Sequence, residues 1–205
     1  MSGRRRHVPS ILLCAMLACV GMPQGARGQA PDQPALLPSR DVTVTYRIDG
    51  VGLGGAHKVQ IAYTQGGART RMDYYRWVEA TVPFMALVYD RPANRAIAIM
   101  HERRSFVERR AADSRNPGAF LRPEMGFTRL GSATVADTPC TEWKLRLPGK
   151  PEDNGTACVT ADGIVLRLLP AKAGQASMTA IAIADGAATT TAFAAPDGYT
   201  RETRR

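Results

Sequence analysis

The sequence predicts a mostly β, single-domain protein: an antiparallel meander closing into a barrel, a half-barrel or a sandwich. Three observations carry this. From Asp41 onward, apolar and polar residues alternate with period two in short runs. Most gaps between runs hold the Gly, Pro, Asn or Asp that turns require. At 205 residues, with 44% hydrophobic and 22% charged, the chain suffices for one packed core and excludes a disordered tail or a multi-span membrane protein.

The runs follow in order. Val42, Val44, Tyr46 and Ile48 alternate with Thr43, Thr45 and Arg47, a half-buried strand of β-formers. A turn over Gly50–Gly55 leads to Val59, Ile61 and Tyr63, and Gln65-Gly66-Gly67 turns the chain into residues 68–78. Phe84 to Asp90, Arg95 to Met100 and Arg104 to Arg110 follow as further strands. Residues 111–125 lose the alternation. Asn116 before Pro117 predicts a cap and first helical position, and Pro123 limits that helix to a turn or two. Strands resume at Phe127 to Val135, Thr141 to Leu147, Thr156 to Thr160 and Ile164 to Leu169. Ser177 to Ala184 and Thr189 to Phe193 complete about ten to eleven strands.

The N-terminus reads as an address. Arg4, Arg5 and Arg6 precede a short apolar run from Ile11 to Val20, and Ala26-Arg27-Gly28 offers a cleavage site before Gln29. Residues 1–28 are therefore expected to be a signal peptide, 29–40 a Pro-rich linker and 41–205 the β domain. The expected location is periplasmic or secreted. A lipid anchor through Cys19 is the alternative, since Ala18 supplies the small residue that acylation needs. Removing the leader takes four arginines and no acid, leaving 23 basic and 18 acidic residues. That surplus is mild. Only Cys140 and Cys158 remain in the mature domain, and an even pair in an oxidising compartment predicts a disulfide. Closing a loop of about 19 residues is worth roughly 3 kcal/mol in the chain-entropy model.

Motifs of catalysis are weak. Gly50, Gly52 and Gly55 match a dinucleotide fingerprint, but residues 56–64 alternate as a strand where that mechanism needs a helix N-terminus. His101-Glu102 opens like a zinc-protease helix, yet Ser105 stands where the second His belongs. No catalytic residue, metal site or cofactor is expected, and the protein is read as a non-enzyme. Arg103, Arg104, Arg109 and Arg110, with Arg115 and Arg122 beyond, concentrate positive charge. An anionic headgroup or an envelope-protein partner would suit that patch; a solvated face that discourages edge pairing is the plainer explanation. Nucleic acid is not an expected partner, because stacking aromatics are not interleaved.

Three stretches carry a resemblance. Gly131-Ser132-Ala133-Thr134-Val135-Ala136-Asp137-Thr138-Pro139-Cys140-Thr141-Glu142-Trp143, Cys158-Val159-Thr160-Ala161-Asp162-Gly163-Ile164 and Pro196-Asp197-Gly198-Tyr199 resemble segments of bacterial envelope proteins of unknown function related to the LolA/LolB lipoprotein carriers. The resemblance implies a curved antiparallel sheet or half-barrel of about ten to eleven strands with one or two short helices. It also implies an apolar inner face that holds acyl chains. Val42, Val44, Tyr46, Val59, Ile61 and Tyr63 are the candidate lining, their face being the most consistently apolar, although the same pattern describes a packed core. The expected function is binding of a hydrophobic ligand or lipid. The alternative is a protein-interaction or envelope-stress sensor module with a packed core.

Overall fold

The computed structural model describes residues 32–50, 53–149, 154–172 and 174–203. The expected leader and Cys19 lie outside them. Twelve strands form one open, curved sheet: β1 (Val42–Asp49), β2 (Lys58–Thr64), β3 (Arg69–Tyr75), β4 (Met85–Asp90), β5 (Arg95–Met100), β6 (Ser105–Arg109), β7 (Gly126–Val135), β8 (Thr138–Arg146), β9 (Gly155–Val159), β10 (Val165–Pro170), β11 (Ser177–Asp185) and β12 (Thr200–Arg201). Their spatial order is β12-β6-β5-β4-β3-β2-β1-β11-β10-β9-β8-β7. All pairs are antiparallel except β12 beside β6.

That order forces two long crossings. After β6 the chain must travel to the far edge to begin β7, and residues 110–125 do so across the inner face, the one bearing Val42, Val44, Tyr46 and Ile48. After β11 the chain returns to β6 across the outer face of β3–β6. It lays Phe193 against Ala86, Val88, Ile97 and Ile99 on the way. Arg71 and Arg95 hold this strap by donating to the Ala192 and Phe193 carbonyls at 2.6 and 3.0 Å.

The structure departs from the sequence reading in four places. Residues 111–125 hold only a 3-10 turn, Ala111–Asp113. Asn116 caps no helix: its Oδ1 accepts the Gly118 N–H at 3.0 Å and its Nδ2 donates to the Gly67 carbonyl. Thr190–Phe193, expected as a strand, is a 3-10 turn in the outer strap, and Thr200–Arg201 supplies a strand not expected. In the expected linker, Pro34 and Pro38 are buried and Leu36 packs near Trp143 and Leu145. Arg40 donates to Asp162 at 2.5 Å and also pairs with Asp185. Gly163 turns with φ +89° where a Cβ would stand 2.2 Å from the Leu37 carbonyl, so glycine admits this docked segment.

The disulfide is present. Cys140 on β8 and Cys158 on β9 lie 5.5 Å apart at Cα and are buried, cross-linking neighbouring strands.

Candidate functional site

The six residues expected to line a cavity are buried beneath the crossing segment. Register sets them side by side: Val42 opposite Tyr63, Val44 opposite Ile61, and Tyr46 opposite Val59. None is more than 3% exposed. Phe120 meets Tyr46 edge-on at 6.4 Å, and the Tyr63 hydroxyl donates to the Gly118 carbonyl at 2.9 Å. Gly118 fits because it has no side chain; a Cβ there would sit 2.6 Å from Thr70 Cγ2. This part of the inner face is packed core among the described residues, with all six side chains in one buried cluster.

Burial has an acid–base consequence. It raises Tyr46 well above the ordinary phenol value, with the neighbouring Tyr63 adding to the effect, and it raises Tyr63 despite an opposing hydrogen bond. Tyr74 is pushed up by burial to about 12. The unfolded chain therefore loses phenolic protons first, so stability present below about pH 10 is lost as pH rises toward the folded values. An alkaline phenolate titration is expected to show these tyrosines ionising only as the sheet unfolds. Reversible ionisation of all six tyrosines near pH 10 with the fold intact would contradict this packing.

Open space lies on either side of the crossing segment. One cavity, about 350 Å³, is floored by Leu87, Ala96, Ala98 and Val107 and walled by Ser114, Arg115 and Pro117. Its origin is local: Leu87, Ala98 and Val107 are cross-strand neighbours on β4, β5 and β6, and Ala96 stands opposite Arg109. β5 turns Ile97 and Ile99 outward under Phe193 and leaves small alanines inside, so the inner floor is shallow. Arg109 and Arg115 stand at this cavity, both exposed, with no carboxylate partner among the described residues. The second cavity, about 630 Å³, lies between Phe120 and Met125 of the crossing segment and Leu145, Leu168 and Leu169 of β8 and β10. Arg115 borders both.

The four arginines expected as one patch are not together. Arg103 and Arg104 precede β6 and Arg109 and Arg110 end it, about 16 Å along the strand at its usual rise. Arg104 lies against the Tyr199 ring and Arg110 pairs with Asp113 at 2.8 Å, which leaves Arg109 alone of the four at the cavity. The cavity floor itself was missed in sequence. Its signal is the alternation of Ala96 and Ala98 with Ile97 and Ile99, which marks a face with too little side chain to fill it.

An open, curved antiparallel sheet crossed on its inner face by its own chain defines the class of fold. Solved structures resemble it in fold. An uncharacterized conserved protein from Thermus thermophilus aligns with a TM-score of 0.55 at 10% identity, over 81% of this chain and 91% of that one. MucB aligns with a TM-score of 0.53 at 12% identity, over 80% of this chain, and the match spans 60% of the MucB chain. MucB in complex with MucA(peri) aligns at 0.49 and 12% identity, over 82% of this chain and 58% of that one. At these identities the likeness to MucB and to the Thermus thermophilus protein is one of fold alone. No protein-family model matches the chain, and no curated protein matches it. Among the described residues no helix is long and apolar enough to cross a membrane.

Proposed function

We propose that this chain is an exported, non-enzymatic binding protein of the cell envelope that takes up an anionic amphiphile in the open part of its inner face. The observation that carries this is the 350 Å³ cavity, apolar on its floor and bordered by Arg109 and Arg115. Its volume falls at the low end of small-molecule sites. Each methylene buried on Leu87, Ala98 and Val107 would contribute about 0.8 kcal/mol. A phosphate or carboxylate at the mouth would meet forked donors suited to it. The Arg-rich N-terminus with its apolar run supports export, and the cross-linked cysteine pair fits an oxidising compartment.

The test is uptake of a fluorescent long-chain fatty acid by the purified mature protein. Saturable binding is expected, and Arg109→Glu with Arg115→Glu should weaken it about tenfold, close to 1.4 kcal/mol. Binding of the matching long-chain alcohol should change little. Equal loss for acid and alcohol, or no uptake by the wild-type chain, would contradict the proposal.

A second reading, a module for an extended segment of another envelope protein, is favoured by β7. This ten-residue strand ends the sheet with Thr128, Arg129 and Leu130 exposed, and it carries a single charge. Long, sparsely charged edges accept added strands. Failure of amphiphile uptake would leave this reading standing.

A further inference from the structure

The end of the sheet that carries the β3–β4 loop presents two apolar side chains to solvent without covering them. Trp77 is 64% exposed and Val82 is 74% exposed, the two most exposed large apolar residues among those described. Singly exposed apolar residues need no explanation, but a tryptophan on a fixed loop among cations does. The loop is held firmly at its base. The Phe84 N–H donates to the Tyr74 carbonyl at 2.9 Å, and His101 N–H to the Phe84 carbonyl at 3.0 Å. Lys58 donates to the Ala80 carbonyl and sits 4.4 Å from the Tyr75 ring centre. The Arg76 guanidinium lies 4.2 Å from the Phe84 ring centre and pairs with Glu102 at 3.0 Å. The Trp77 ring stacks on His57 at 5.7 Å with planes 12° apart, which fixes its direction while leaving most of it in water.

Register decides what accompanies this loop. The same end of the sheet carries the end of β1, the start of β2, the end of β3 and the β5–β6 turn. It therefore collects Arg47, Lys58, Arg76, Arg103 and Arg104 against Asp49, Glu79, Glu102 and Asp197, the last next to Gly198 beside Arg104. Asp49 and Glu102 are each paired with an arginine, and Arg103 has no carboxylate partner among the described residues. Exposed tryptophan beside a cationic surplus is the composition that settles at a bilayer interface: the indole partitions at headgroup depth and arginines meet anionic headgroups. The 630 Å³ cavity, bordered by Leu168, Leu169, Pro170 and Met125, lies at the same end of the sheet on β8–β10.

We infer that this end docks on an anionic lipid bilayer, with Trp77 and Val82 inserted at the interface and Arg103 and Arg104 on the headgroups. The inference does not rest on amphiphile uptake, since docking uses side chains outside the cavity at Arg109 and Arg115.

The experiment uses the mature protein and vesicles of equimolar phosphatidylglycerol and phosphatidylcholine, with pure phosphatidylcholine vesicles for comparison. Trp143 is buried, so Trp77 is the tryptophan able to report insertion. Co-sedimentation with the anionic vesicles and a blue shift of tryptophan emission are expected. Trp77→Ala with Val82→Asp should lower partitioning roughly tenfold or more, and Arg103→Glu with Arg104→Glu should lower it on anionic vesicles only. Both changes lie on exposed side chains, and the near-ultraviolet signal of Trp143 checks that the fold is kept. Docking that survives Trp77→Ala with Val82→Asp, or no preference for anionic vesicles, would overturn the inference. So would a concentration-dependent dimer that these two changes abolish while vesicles stay unbound, because a second copy would then cover the loop. Arg109→Glu with Arg115→Glu should leave vesicle docking intact, which separates this failure from failure of amphiphile uptake.

Discussion

Gly118→Val is expected to drive the 116–121 segment out of the inner face while the sheet stays folded. A Cβ at this position would meet Thr70 Cγ2 at 2.6 Å and Tyr63 Cε1 at 2.9 Å, and both neighbours are buried on the sheet. They have no room to yield, so the segment must. Overpacking of this kind costs about 1–3 kcal/mol. That offsets a hydrogen bond from Tyr63 and the Asn116 anchor on Gly67, and it works against the burial of Phe120 and Leu121, which also hold the segment. Displacement would open Tyr46, Tyr63 and their neighbours to solvent and join the two cavities that Arg115 now borders. The expected readouts are a several-fold gain in binding of an apolar fluorescent dye and an unchanged far-ultraviolet β signal. Loss of the β signal would contradict the account, and so would wild-type dye binding.

Phe193→Ala carries the larger expected cost in stability. The ring is 2% exposed and fills the outer core between Ala86, Val88, Ile97 and Ile99. Truncations of this size cost about 3–5 kcal/mol when the site cannot collapse. Collapse is limited here, since β4 and β5 are fixed on both sides by the ladder. The damage should spread along the strap. Thr200 and Glu202 donate to the Arg104 and Phe106 carbonyls at 2.9 and 2.8 Å, so β12 covers the outer edge of β6 only while the strap is seated. Hydrogen exchange at Thr200 and Glu202 should accelerate well before global unfolding, alongside a lower denaturant midpoint. A midpoint shift below about 1 kcal/mol, with both amides still protected, would show that Phe193 does not seat the strap.

How much of this was legible in the sequence differs by level. β1 and β2 follow directly from alternation, because a strand with one buried face must repeat every two residues. The cysteine pair was legible from parity and compartment alone. What covers a buried face was not, because alternation records burial and is silent on the covering element. The residues that cover Tyr46 and Tyr63 come from the non-periodic 111–125 segment, and its path is set by where β7 begins, a long-range fact. Thr189 to Phe193 reads as a strand because its residues favour one, yet it crosses a face whose strands are already paired. The arginine group looked continuous because sequence distance hides the strand that separates its two halves. Arg109 alone was placed at a cavity, and its companion Arg115 arrives from the crossing segment.

The most direct test of the central claim is native mass spectrometry of the protein, purified gently with its disulfide intact. A discrete added mass that extracts into chloroform and carries a negative charge is expected, diminished by Arg109→Glu with Arg115→Glu. A bare polypeptide mass, unchanged after incubation with long-chain fatty acid, would contradict it.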